Sequence, residues 1–130
     1  MKDLDILHLR LRNTGLSASP FKIPEDVVAH LGAVQAQDFA AAKWAFGMRM
    51  QKATDEDVEK SFNENKFLRT HVMRPTWHFV LPEDIRWMLE LTGPRVKRIL
   101  APHDQKLEIT KEVLSKSQVV IEKALEGKKI

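Results

Sequence analysis

Arg69-Thr70-His71-Val72-Met73-Arg74-Pro75-Thr76-Trp77-His78 is the stretch on which the fold turns. β-prone residues run from Phe67 to Met73 and again from Thr76 to Leu81, joined around Arg74-Pro75. Pro75 has no N–H to give to a ladder, so it belongs at the turn or on an edge. A two-stranded hairpin is therefore predicted at about 67–81. Both flanks carry helix signals.

Upstream, Thr54-Asp55-Glu56-Asp57 supplies an N-cap and an acidic first turn for a short helix ending near Asn63. Ala40 to Met50 is apolar and alanine-rich and predicts a buried helix, with Trp44 in the core. Pro24-Glu25-Asp26 starts another helix, with proline in the first turn and carboxylates favoured by the helix dipole. Val27, Val28, Leu31 and Val34 give it one buried stripe, and it is expected to fray between Gln35 and Asp38. Leu4 to Leu11 suits a helix that Asn13-Thr14-Gly15 breaks. Downstream, Pro82-Glu83-Asp84 restarts a helix with Ile85, Met88, Leu89 and Leu91 on its apolar face. Gly93-Pro94 is expected to break it, leaving a short basic helix from Arg95 to Leu100. From Thr110 an amphipathic helix runs to a cap at Gly127.

Three helices followed by a hairpin is the order of a winged helix, with the hairpin as the wing. The expected class is mostly α (α+β). A winged-helix-like domain spans 1–102, and a C-terminal helical segment follows over 103–130.

Composition narrows the function. With 130 residues and 43% hydrophobic content, the chain can bury a core. The absence of cysteine removes disulfides, zinc–thiolate sites and cysteine nucleophiles together. No apolar run approaches the ~20 residues of a membrane helix, and Met1 to Arg12 lacks a signal-peptide core. The chain reads as cytoplasmic and soluble. Residues 1–65 hold 8 Lys/Arg against 10 Asp/Glu, and residues 66–130 hold 13 against 8, so charge passes from −2 to +5. Basic residues gathered in one region can neutralise phosphates, or simply form a solvated face. There is no phosphate loop, nucleophile elbow, HExxH or Walker element, so kinase, hydrolase and dinucleotide classes lack support.

Gln35 and Gln37 are the first candidates for chemistry. A glutamine amide offers two donors and an acceptor without charge, and can orient a water or meet a base edge. At i and i+2 the two share a side only if the backbone is extended or the helix has ended. The alternative is a pair of polar residues satisfying a helix end. Asp38 is a general base, a water-positioning carboxylate or the N-cap of the next helix, with the cap favoured. His71 and His78 flank the turn; with no third ligand nearby they do not make a metal site, and they read as hydrogen-bonded or DNA-proximal residues. Arg69 and Arg74 can reach phosphate, or pair with Glu83 or Asp84. Arg69, His71, Arg74 and His78 are the candidate DNA contacts. Trp77 is expected in the core, or exposed and stacking on a base.

Four stretches together carry a family resemblance: Leu31 to Asp38, Ala42 to Arg49, Leu68 to His78, and Asp84 to Trp87 with Thr92 to Arg95. Over about residues 8 to 127 the chain resembles the N-terminal part of the bacterial AlkZ/YcaQ-like superfamily, winged-helix proteins that include DNA glycosylases for alkylated purines and crosslinks. The resemblance implies tandem winged-helix units, so this chain reads as a piece of a longer protein, and the piece alone is expected to be inactive. It implies that Gln35 and Gln37, with Ala36 between them, are catalytic in monofunctional base excision, without metal or cofactor. It implies double-stranded DNA as partner, alkylated or crosslinked. The alternatives are a non-catalytic DNA-binding module, or a structural piece whose 113–125 stripe packs on further domains or forms a homodimer.

Overall fold

A computed structural model describes residues 3–128 of the chain. Six helices and three strands follow in the order α1 (Asp3–Asn13), α2 (Pro24–Leu31), β1 (Val34–Gln35), α3 (Phe39–Gly47), α4 (Asp55–Asn63), β2 (Leu68–His71), β3 (Trp77–Val80), α5 (Ile85–Lys106) and α6 (Lys111–Leu125) among the described residues. The chain forms two compact units, Met1–Pro94 and Arg95–Ile130. The mostly helical class and winged-helix-like order hold.

Helix starts follow local chemistry. Pro24 stands in the first turn of α2. Thr54 and Asp57 form a capping box at α4, each side chain taking the other's orphan backbone N–H. Thr110 caps α6, accepting from the Val113 N–H at 3.3 Å. Gly127, at φ +73°, follows its last turn.

The hairpin gains a third strand. β3 is central in the antiparallel order β1-β3-β2. Its register sets Gln35 opposite His78 and Val34 opposite Phe79 on one side. On the other it sets Thr70 opposite His78 and His71 opposite Trp77. The helix expected to reach Val34 stops at Leu31, because Gly32 takes φ +73°, a conformation that ends helices and that L side chains disfavour. Val34 is buried by the sheet rather than by a helical stripe.

Alternation along β3 divides the core in two. Phe79 faces the α2–α4 side, its ring centroid 5.1 Å from that of Phe67, 5.5 Å from Phe46 and 5.9 Å from Phe39. Val80 faces the other way and packs with Val72 and Met88, under the first turns of α5. Thr92 Oγ1 donates to the Val72 carbonyl, tying that helix to the hairpin.

Gly93-Pro94 does not break the chain. α5 runs through it, and through Pro102, to Lys106. A proline removes one helical hydrogen bond at a cost of roughly 3 kcal/mol, which the residues on either side outweigh. The first compact unit nevertheless ends at Pro94. The boundary expected at 102/103 falls inside α5. In α6 no residue is buried, and Val120 and Ile121 are exposed. Trp44, expected in the core, is 75% exposed, because Phe39, Ala42, Lys43 and Phe46 take the inward face of α3.

Candidate nucleic-acid interface

The site is built on β1 and the bend that follows it. Val34 and Ala36 are buried while Gln35, Gln37 and Asp38 are exposed. This period-two alternation puts both glutamine side chains on one side, as an extended backbone requires. The edge pairing continues past β1, the Ala36 N–H donating to the Trp77 carbonyl at 2.8 Å. One residue on, a side chain takes the backbone's role: Gln37 Oε1 accepts the Trp77 N–H at 3.2 Å. Gln35 Oε1 lies 3.5 Å from Arg74 Nη2, at the long limit of a hydrogen bond. Trp77 N–H and the Arg74 guanidinium are both donors. They therefore fix which end of each amide faces inward. Each oxygen keeps one lone pair, and both NH2 groups are left for other acceptors.

Asp38 acts as a cap. Its Oδ1 accepts the Ala41 N–H at 3.0 Å at the start of α3. Arg69 reaches the same bend from β2. Its Nε donates to the Ala36 carbonyl at 2.9 Å and its Nη2 to the Gln37 carbonyl at 3.0 Å. Its guanidinium also lies 4.6 Å from the centroid of the Trp77 ring and 5.8 Å from that of Phe39. Neither Arg69 nor Arg74 pairs with Glu83 or Asp84. Asp84 Oδ1 instead accepts from the Trp87 indole at 2.7 Å.

The two histidines part company. His71 is exposed and stacks on Trp77, ring centroids 4.1 Å apart. His78 is 1% exposed and lies on the opposite face. Its Nδ1 is 2.8 Å from the Thr76 carbonyl oxygen. Burial holds its pKa below the ordinary 6.5; the Thr76 hydrogen bond opposes that, and the charges of Arg74 and His71 add to it. Of the two expected readings of His78, the structure shows the hydrogen-bonded one, with the ring buried in the core. Trp77 is half-buried, between its two expectations. The structure thus places Gln35, Gln37, Arg69, His71 and Arg74 at one end of the sheet, with His71 on the face away from the glutamines.

Residues 28–128 match the family described as DNA glycosylase AlkZ-like. The chain belongs to that family. Among solved structures it resembles the Streptomyces sahachiroi DNA glycosylase AlkZ, with a TM-score of 0.51 and 22% identity, covering 75% of this chain and 31% of that one. That likeness carries the fold. The AlkZ-like chain thus spans less than a third of the solved glycosylase's length. No curated protein matches it. Gln35, Gln37 and the whole hairpin lie inside the matched region. Among the described residues no helix is long and apolar enough to cross a membrane, and no three His, Cys, Asp or Glu side chains gather as metal ligands.

The sequence reading of this AlkZ-like chain missed Lys43. It is 8% exposed and bonds to Asp55 at 2.6 Å and Glu59 at 2.5 Å. Hydrogen bonds to these carboxylates hold its pKa above the ordinary 10.5. Two signals were present: a lysine on the apolar face of α3, and two acids four residues apart on α4. Beside it a cavity of about 540 Å³ opens between these helices, walled by Trp44, Met48 and Val58. The glutamines are not part of it.

Proposed function

We propose that this chain carries the base-excision site of a monofunctional DNA glycosylase acting on N-alkylated purines. The observation that carries the proposal is the pairing of two neutral amides at the exposed sheet edge, their oxygens held by hairpin donors. In the reaction, the bond from C1′ to the base nitrogen breaks and its electron pair leaves with the base. Water adds to C1′ and loses its proton to solvent. Gln35 and Gln37 place that water and set their dipoles against the positive charge growing on the sugar.

The neutrality of the pair selects the substrate. The carboxylate of Asp38 is committed to its cap, and His71 stacks on the far face from the glutamines. His78 pairs with Gln35 across the sheet but is buried with its Nδ1 at the Thr76 carbonyl, so among the described residues neither it nor Asp38 nor His71 is presented beside the amides as an acid to protonate a departing base. A base that is already cationic, as alkylation at N7 or N3 makes a purine, leaves without one. Arg74 meets the phosphate backbone of the duplex.

A second reading, DNA binding without chemistry, is favoured by the +5 charge of residues 66–130 (13 Lys/Arg against 8 Asp/Glu). One experiment separates the two. Release of 7-methylguanine from methylated duplex is measured for the protein, Gln35→Ala and Gln37→Ala. Excision predicts release that falls roughly 100-fold or more in Gln37→Ala, with duplex affinity nearly kept. Equal release by all three proteins removes the glutamines from the mechanism. No release at a concentration where duplex is clearly bound leaves the binding module.

A further inference from the structure

We infer that Arg69 is a positioning residue that aims Gln37, and not a DNA contact. The inference rests on the excision function proposed above for its catalytic arm, and on geometry alone for the rest. Successive carbonyls along a strand point to opposite sides. Those of Ala36 and Gln37 instead converge on one guanidinium, because the chain bends at Gln37 and Asp38 before α3 begins. Nε and Nη2 are the parallel pair of the arginine fork, and each takes one of the two oxygens. The planar group is held further between the faces of Trp77 and Phe39.

The clamp acts on both ends of the Gln37 side chain's anchorage. Its backbone is fixed through its own carbonyl and that of Ala36. Its side-chain oxygen is fixed by the N–H of Trp77, whose ring Arg69 covers. With the fork removed, the Gln37 side chain keeps one anchor, at a bend where the strand pairing ends with Ala36. The amide then samples orientations in which its free NH2 group leaves the reacting sugar. Lysine keeps the charge but has no planar fork, so it cannot bridge the two oxygens in the same way.

The test compares the protein with Arg69→Lys and Arg69→Ala by three measurements. Amide hydrogen exchange reads the clamp: protection over Ala36 to Asp38, carried by the Ala36 N–H on the Trp77 carbonyl, is expected to fall in both variants, with that of β3 retained. Salt titration of duplex affinity reads phosphate contact: the slope is expected to stay unchanged in both. Base release reads the function: kcat is expected to fall roughly 10- to 100-fold with KM nearly constant, as misplacement of a catalytic group produces. A salt slope that drops by about one in Arg69→Ala, with exchange at Ala36 to Asp38 unchanged, would make Arg69 a phosphate contact and overturn the inference. Unchanged exchange in the variants overturns it as well. If the unsubstituted protein releases no base, the excision proposal fails, and exchange and salt slope still decide the clamp. Should Arg69→Ala not fold, Arg69→Lys carries each comparison.

Discussion

Lys43 and Arg74 are cations of the same compact unit in opposite surroundings. Lys43 lies between α3 and α4 with two carboxylates on its ammonium. Arg74 stands at the hairpin turn, and among the described residues its hydrogen-bond partner is the neutral amide oxygen of Gln35. Arg69 beside it likewise meets carbonyls and ring faces. Where charge is neutralised internally, it holds two helices together and offers nothing to a ligand. Where it meets only neutral acceptors, the positive potential stays available. The glutamines sit at the second kind of place, which is what the proposed excision of a base from a polyanion would need.

The contrast can be broken most heavily from beneath. Phe79 packs with the aromatic rings of α3 and α4 and pairs through its backbone with β1 and β2. Phe79→Ala is expected to cost roughly 3–5 kcal/mol, read by urea unfolding, and to weaken both regions together. A loss under about 1 kcal/mol would mean that the phenylalanine cluster is not their common floor.

A paired substitution sharpens the contrast. Arg74→Gln is expected to lower the slope of log affinity against log salt by about 0.9 and leave the melting temperature almost unmoved. Lys43→Met is expected to do the reverse, lowering the melting temperature through repulsion between Asp55 and Glu59 while the slope stays fixed. Equal slopes for the two variants would erase the distinction.

The smallest effect is a pH dependence centred on the buried ring of the sheet. The folded pKa of His78 lies below its unfolded value near 6.5. The unfolded chain therefore takes up the proton first, and stability is full above that pH and declines as pH falls through it. His78→Gln should flatten this limb of a stability curve between about pH 6.5 and 5, before the carboxylates titrate. An identical limb in the variant would place the proton elsewhere.

Much of this was legible in the sequence because it is local. Thr54, Asp38 and Thr110 announce helix starts through side chains that reach backbone donors two or three residues away. The hairpin was legible from β-prone runs around Arg74-Pro75. β1 was not, since a two-residue strand has no periodicity of its own and exists through pairing with residues some 40 positions on. Missing β1 also hid the bend that turns Gln37 toward Trp77. Gly32 was a stop signal passed over in favour of the stripe that continued to Val34. Gly93-Pro94 was the opposite error, a breaker that the surrounding helix outweighs. His78 was left between a hydrogen-bonded and a DNA-proximal reading, because its burial follows from the central position of β3, which needed the third strand.

The anchor of Gln37 is a main-chain N–H, and the anchors of Arg69 are main-chain carbonyls. Such partners are supplied by nearly every amino acid. So far as that hydrogen bond is concerned, any residue but proline, which has no N–H to give, serves at position 77, while the ring under Arg69 is particular to the tryptophan. Ala36 can change too, within the space its buried methyl occupies. The side chain at position 77 and the N–H that meets Gln37 are thus separate features of one residue, and the amide depends on the second.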